Sequence, residues 1–450
     1  MSGRVANAAA AASEQPLRRS LGLAGATLTG IGIILGAGIY VLIGEAATDA
    51  GGALWAAFLL AAVLAASTGL SYAELSSMFP EAGGSATFAR EAFGRRTGFV
   101  TGWLLLTMAV LASAAVAIGF GGYLADLTRA DRTLSAGALV LLSGSVAWAG
   151  VRETVGLAVL FTLIEASGLV ISIAVGLPFF DPDALVDAPK GIGGVLGAAS
   201  LVFFAFTGFE QIVNLSEETK QPTRTIPRAI LLAVSITTLV YVLVAVASIS
   251  VLPWEELSRS DAPLADVVRI AANDRLGDAL SIVALFATAN TVLLLLATGA
   301  RLSWGMARRG LLPPAFRWTD PRRQTPWFAA AMVTAASFAF ALSGDIGRVA
   351  EITNVTLFVA FIVVNAAVVR LRVARPDAPR PFRLRGSIRR APVTALIGGA
   401  SAAILLTRVD TLVLLVGCGV VLLGLAVSIP ALAHELSGKA LGGMDDQQPA

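Results

Sequence analysis

The sequence predicts an all-α polytopic membrane protein of about twelve transmembrane helices: two five-helix halves plus two, with the first and sixth helices broken at mid-membrane. Three observations carry this. The 450-residue chain is 56% hydrophobic and only 14% charged, with a mean hydropathy of +0.78. Its apolar residues gather in long runs of membrane-crossing length. Glycine-containing interruptions fall at matching places in two of those runs, each the first of its half.

The composition already excludes several classes. Soluble globular chains carry about 25% charged residues, so a chain with 14% cannot cover itself with a water-facing surface. An ordinary soluble enzyme, a disordered protein and a nucleic-acid-binding protein are excluded on that ground. The 45 glycines suit membrane helices, which tolerate glycine better than soluble ones do. The single cysteine, Cys418, excludes an intramolecular disulfide and a thiolate metal cluster. The single histidine, His434, leaves no His-rich metal site and no histidine-based catalytic set. No GxSxG, HExxH or Walker A string occurs. No metal, no cofactor and no enzymatic activity are therefore expected.

Taken in order, the spans of the first half are 20–44, 51–78, 98–125, 133–150 and 154–179. Those of the second are 192–216, 227–252, 277–305, 327–343 and 347–370. Two further spans follow at 391–408 and 411–433. Most carry no charge in the middle. Arg18 and Arg19 precede the first, as in a signal peptide, but that apolar stretch is longer than the usual 7–15 residues and many more spans follow. The expected organisation is a tail at 1–19, a ten-helix core at 20–371, two additional helices with a basic loop at 372–434, and a tail at 435–450. The Ala/Ser-rich tail at 1–19 and the C-terminal string Gly-Gly-Met-Asp-Asp-Gln-Gln-Pro-Ala read as disordered.

Orientation follows from lysine and arginine. With the N-terminus inside, inner segments hold 25 of the 33 basic residues and outer loops hold eight. Asp181, Asp183 and Asp187 lean the other way but count for little in this rule. Both termini are therefore expected in the cytoplasm. The basic run from Arg370 to Arg390 is expected to meet anionic lipid heads.

The two interruptions read Gly36-Ala37-Gly38 in the first span and Phe204-Ala205-Phe206-Thr207-Gly208 in the sixth. Either alone is equally compatible with close packing of helices through small residues. Their corresponding positions in two five-helix halves, of which the second inserts upside down, point instead to a secondary-transport site. Unwinding frees backbone N–H and C=O groups where no bulk water can satisfy them. A half-helix starting near Gly36–Gly38 offers N–H groups and a positive dipole end to a carboxylate. Carbonyls freed around Phe204–Phe206 can accept from an ammonium. A ligand with both groups close together is an α-amino acid.

Further strings carry a resemblance. Tyr72-Ala-Glu74-Leu-Ser-Ser-Met-Phe-Pro80-Glu-Ala-Gly83-Gly84-Ser ends the second span, and Arg90-Glu-Ala-Phe-Gly94 through Gly98-Phe-Val-Thr-Gly102-Trp103 follows. Phe203-Phe-Ala-Phe-Thr-Gly-Phe-Glu210 is followed by Ser216-Glu-Glu-Thr-Lys-Gln-Pro222 and Ile226-Pro227-Arg228-Ala-Ile230. Ser303-Trp-Gly-Met-Ala-Arg308-Arg-Gly310-Leu-Leu-Pro313 closes the set. With Gly36-Ala37-Gly38-Ile39, these make the chain resemble prokaryotic amino acid permeases of the amino acid–polyamine–organocation superfamily over roughly residues 20–370. The resemblance implies a LeuT-like 5+5 inverted repeat and alternating access, in which a bundle rocks against a scaffold. It implies substrate contacts at Gly36, Ala37, Gly38, Phe204, Ala205, Phe206, Thr207 and Gly208, the carboxylate on the first break and the amino group on the second.

Three carboxylates, Glu74, Glu165 and Glu210, are assigned to span interiors, where an ionisable group is a functional candidate by default. Proton-coupled relatives often carry a lysine where this chain has Glu165. That reversal of sign leaves three readings: an acid that cycles a proton, an oxygen ligand for sodium, or a structural acid. Glu210 matches a position implicated in pH sensing in some antiporters of the superfamily; its alternative is an acid that caps the unwound segment. Glu74 is expected to act in gating, paired with an inner arginine such as Arg90 or Arg228. The apolar pocket segments favour a neutral amino acid, with the proton as coupling ion and sodium as the alternative. The expected function is proton-coupled uptake of neutral amino acids across the plasma membrane. An amino acid or polyamine exchanger, and a channel or sensor on a transporter fold, are the alternatives.

Overall fold

A computed structural model describes residues 21–79, 84–149, 155–217, 219–308, 311–323 and 325–442. The tail expected at 1–19, Pro80–Gly83 of the second-span motif, and Arg309 and Gly310 lie outside them.

Each of the twelve apolar runs contains a helix. The first half comprises α1 (Leu23–Leu35), α2 (Gly38–Ala50), α3 (Leu54–Met78), the short α4 (Gly84–Phe93), α5 (Arg95–Thr128), α6 (Arg132–Ala149) and α7 (Val155–Gly176). The chain continues through α8 (Gly191–Val202), two 3-10 turns at Phe203–Phe206 and Phe209–Glu217, and α9 (Pro222–Val251). Two short helices, α10 (Trp254–Leu257) and α11 (Pro263–Ala271), lead into α12 (Asp274–Arg308). Then come α13 (Trp327–Ala341), α14 (Ile346–Ala374), a small antiparallel hairpin of β1 (Ser387–Ile388) and β2 (Ala391–Pro392), α15 (Val393–Leu406) and α16 (Thr411–Gly442).

Among the described residues, eight stretches are long and apolar enough to cross a membrane, while Leu23–Leu35, Trp327–Ala341 and Val393–Leu406 are shorter apolar helices. The chain is a multi-pass membrane protein. α1 is short because the first span is interrupted: its helix ends at Leu35 and restarts at Gly38. The sixth span loses α-helical form at Phe203 and turns at Thr207–Gly208. Both interruptions therefore fall where the glycines stand.

α9 packs along α3 and α1, and α5 packs against α12 and α14. The contacts rely on small residues. A Cβ on Gly69 of α3 would meet Ile230 of α9 at 2.9 Å, which is how unbranched positions let membrane helices approach closely. An aromatic group, Tyr72, Phe88, Phe203, Phe209, Phe358 and Phe361, fills the space behind the second interruption, with ring centres 5.2–6.1 Å apart. Offset and edge-on pairs of this kind hold each ring in one orientation. They fix the wall against which the interruption rests.

Candidate functional site

The two interruptions touch. A Cβ on Gly38 would lie 2.6 Å from Ala205 Cα and 3.2 Å from Ala205 N, so no side chain fits between the segments. Gly208 has φ +113°, a conformation L side chains rarely adopt, and a Cβ there would meet Ile33 O at 2.8 Å. Glycine is required at both positions because backbone meets backbone.

The groups released by unwinding find partners, as burial without water demands. Tyr241 of α9 is fully buried, and its hydroxyl lies 2.8 Å from Ile34 O and 2.9 Å from Ala205 O. It donates its one proton between a carbonyl of each interruption. Thr291 Oγ1 of α12 accepts from Ala37 N at 3.3 Å. Asn354 Nδ2 of α14 donates to Ser200 O at 2.6 Å and Leu201 O at 3.1 Å, at the end of α8. Phe204 O accepts from Thr207 N at 3.1 Å and from Thr207 Oγ1 at 2.8 Å.

A cavity of about 420 Å³ opens between the interruptions, α5, α7 and α12. Of the sequence-predicted substrate residues, Gly36, Ala37, Gly38, Phe204, Ala205, Thr207 and Gly208 line it. Phe206 does not: its ring is fully buried behind the segment, 5.2 Å from that of Tyr241. Glu165 lines the cavity and is 2% exposed. Asn290 Nδ2 donates to its Oε1 at 3.3 Å, and among the described residues no lysine or arginine pairs with it. Tyr40 donates its hydroxyl proton to the backbone carbonyl of Glu165, which ties α2 to α7 beside the cavity. Asn290 Oδ1 is buried with no hydrogen-bond partner. An orphaned acceptor of this kind in a cavity wall is a place for a donor to bind.

Against this geometry, the amino acid permease family profile matches residues 21–431. The chain belongs to the amino acid permease family. It is 30% identical to the branched-chain amino acid permease BcaP of Bacillus subtilis over 400 residues, covering 84% of this chain and 86% of that protein. It is 30% identical to a methylthioribose transporter of the same organism over 396 residues, 83% of this chain and 86% of the relative. An uncharacterized transporter of Mycobacterium tuberculosis is 34% identical over 428 residues, 94% of this chain and 93% of its own. These relatives are named as permeases and transporters, not enzymes.

Within this family member the other two acids stand apart from the cavity. Glu210 is 4% exposed, and its Oε2 accepts from Gly208 N at 2.8 Å. That contact matches the capping alternative: the carboxylate takes an N–H that the turn leaves without a helical partner. Glu74 requires a correction. Its partner is neither Arg90, which pairs with Glu91 at 3.6 Å, nor the exposed Arg228. Arg372 Nε and Nη2 donate to its two oxygens at 2.8 and 2.5 Å, and Leu384 N donates to Oε2 at 2.8 Å. The end of α3 is thus fastened to α14 and to the loop after it. The span-interior acids are also more than three: Glu351 lies within α14 and Asp278 within α12.

Several site residues escaped the sequence reading. Thr291 and Asn290 stand in the middle of an apolar helix, and that isolated polar pair was the available signal. Gln211 and Thr298 also line the cavity. Tyr241 gave no signal, since tyrosine is common near membrane interfaces.

Proposed function

We propose that the chain is a secondary transporter that takes up neutral amino acids in symport with protons. It does so by alternating access about the paired interruptions, across the plasma membrane and with both termini in the cytoplasm. The observation that carries this reading is the shared cavity. Two interrupted helices meet there, and the N-terminus of α2 and Phe204, Ala205, Thr207 and Gly208 of the second interruption border about 420 Å³. The first turn of α2 offers N–H groups and a positive dipole end to a carboxylate. Asn290 Oδ1, buried without a hydrogen-bond partner, is the acceptor available to an ammonium. Met108, Val116, Phe161, Leu294 and Leu295 form an apolar wall for the substrate side chain. Glu165 is the one titratable side chain among the lining residues, so no second fixed charge calls for a charged substrate side chain. The similarity to a branched-chain amino acid permease agrees with an apolar side chain.

Glu165 is the proposed proton carrier. It is buried, faces the cavity and has an amide rather than a cation as its partner. One proton moving down 100 mV supplies about 2.3 kcal/mol, which sustains a gradient of roughly 50-fold at 1.4 kcal/mol per decade.

Uptake of labelled branched-chain amino acids by purified protein in liposomes tests the reading. Accumulation is expected with an inward proton gradient and no sodium. Glu165→Gln is expected to abolish that accumulation and to leave counterflow intact. Accumulation driven only by sodium would recast Glu165 as an ion ligand, and exchange without accumulation would identify an exchanger. Absence of saturable movement would leave a sensor or channel.

A further inference from the structure

Away from the cavity, a second pocket of about 240 Å³ lies where α14 ends. Arg372, Pro376, Arg380, Arg383, Ser387 and Arg390 line it. Four guanidiniums thus surround one small space, and among the described residues the only carboxylate that meets any of them there is Glu74.

Donors remain free in this pocket. Arg383 and Arg390 are exposed and make no ion pair among the described residues. Arg372 Nη1 donates to Ser387 Oγ at 2.8 Å, which leaves the serine's own proton available. Arg380 is nearly buried; its Nη atoms donate to the carbonyls of Leu371, Arg375, Pro376 and Ala378. Its Nε has no hydrogen-bond partner, the nearest acid oxygen being Glu74 Oε1 at 3.6 Å. Burial, followed by crowding from Arg372 and Arg383, holds Arg380 below the usual arginine range despite the opposing pull of Glu74. The site has more positive charge than it neutralises.

The backbone holds this arrangement at a cost. The hairpin turns through Arg389 and Arg390, with φ +47° and +75°. Two consecutive non-glycine residues in the left-handed region are unfavourable by about 1–2 kcal/mol each, and such turns usually carry Asn-Gly. The strained turn sets Arg390 at the pocket.

We propose that this pocket binds a phosphate group, carried either by an anionic lipid or by a soluble phosphate ester. Guanidinium forks match phosphate oxygens bidentately. The volume is below the roughly 300–1,000 Å³ of pockets for drug-sized ligands and suits a compact anion. Arg372 stands in the last turn of a helix of membrane-crossing length, so the pocket lies at the depth where lipid phosphates lie.

The test uses the full chain without amino acid, so it is independent of the transport reading. One arm titrates inorganic phosphate and glycerol phosphate into protein in neutral detergent at physiological salt, read by calorimetry. The other compares thermal unfolding in phosphatidylcholine nanodiscs with and without phosphatidylglycerol. The double variant Arg383→Gln/Arg390→Gln removes pocket charges. Arg370→Gln/Arg385→Gln removes two exposed charges of the same segment outside it. The pocket variant is expected to weaken binding by at least about tenfold, the factor for losing one charge-assisted hydrogen bond, and the outside variant to change it far less. Binding in the nanodisc arm alone assigns the phosphate to lipid; binding in the titration alone assigns it to a soluble ester. No saturable binding in either arm, or equal weakening by both variants, overturns the proposal.

Discussion

Tyr241→Phe isolates the tie between the two interrupted helices. The substitution keeps the ring, and with it the contacts to Phe206 at 5.2 Å and Phe58 at 5.6 Å between centres. It removes only the hydroxyl that lies 2.8 Å from Ile34 O and 2.9 Å from Ala205 O. Ile34 is in the last turn of α1, so its carbonyl has no helical donor ahead of it. Leaving a buried acceptor unsatisfied costs about 1–3 kcal/mol. The two carbonyls share one proton, so we take the cost of one such loss rather than two.

Because the tie joins both halves of the site, that energy falls on the binding-competent arrangement. Apparent affinity is reduced by the fraction of molecules that remain competent. A cost of about 1–3 kcal/mol corresponds to roughly 5- to 150-fold weaker binding of a branched-chain amino acid. The assay is equilibrium binding to purified protein, with thermal unfolding measured alongside. Ser113→Ala serves as the comparison. It removes the buried Ser113–Ser337 hydrogen bond, 2.8 Å long and away from the cavity, and is expected to lower stability with little change in affinity. Affinity of Tyr241→Phe within about twofold of the parent, at a stability loss matching that of Ser113→Ala, would refute the tie.

The remaining predictions concern the acids and the glycine contact. Glu74→Gln leaves Arg372 and Arg380 buried without a counter-charge and is expected to destabilise by about 3–5 kcal/mol. Glu74→Met combined with Arg372→Met is expected to cost less than either single change, as a double-mutant cycle in thermal unfolding reads out. Glu210→Gln retains an oxygen for Gly208 N and is expected to keep proton-driven uptake, so loss of coupling with normal stability would return Glu210 to an ion-coupling role. Gly38→Ala is expected to abolish binding by forcing Ala205 away, whereas Gly305→Ala, with nothing within 4 Å, is expected to be neutral or slightly stabilising. Equal effects of the two glycine changes in binding and unfolding would count against the contact.

Helix positions and the two interruptions were legible in the sequence because each rests on a local rule. Hydrophobic length sets a span, and glycine in an apolar run marks where it breaks. The partners were not legible. Arg372 stands 298 positions from Glu74 along the chain, and Tyr241 stands 207 from Ile34. Nothing local distinguishes Arg372 from its neighbours in a run of eight arginines between Arg370 and Arg390. Phe206 shows the same limit. It belongs to the interruption, but a 3-10 turn brings residues three apart onto the same side, and its ring fell with that of Phe203 on the packed side.

The contacts of the acids narrow the search for a proton carrier. A carboxylate paired with a cation loses that attraction each time it is protonated, and one that accepts from the backbone keeps only a weaker, neutral hydrogen bond. Glu74 receives two guanidinium bonds and a backbone N–H, so protonation would release α3 from the α14 loop. Glu210 receives Gly208 N, and protonation would leave that N–H a weaker, neutral acceptor. Glu165 gives up only an amide bond of 3.3 Å, and it alone of the three borders the cavity. The acid that can change charge at the least structural cost is therefore the one that stands beside the proposed substrate. A proton on Glu165 then alters the charge that an incoming ammonium meets, which is the property that symport requires of its coupling group.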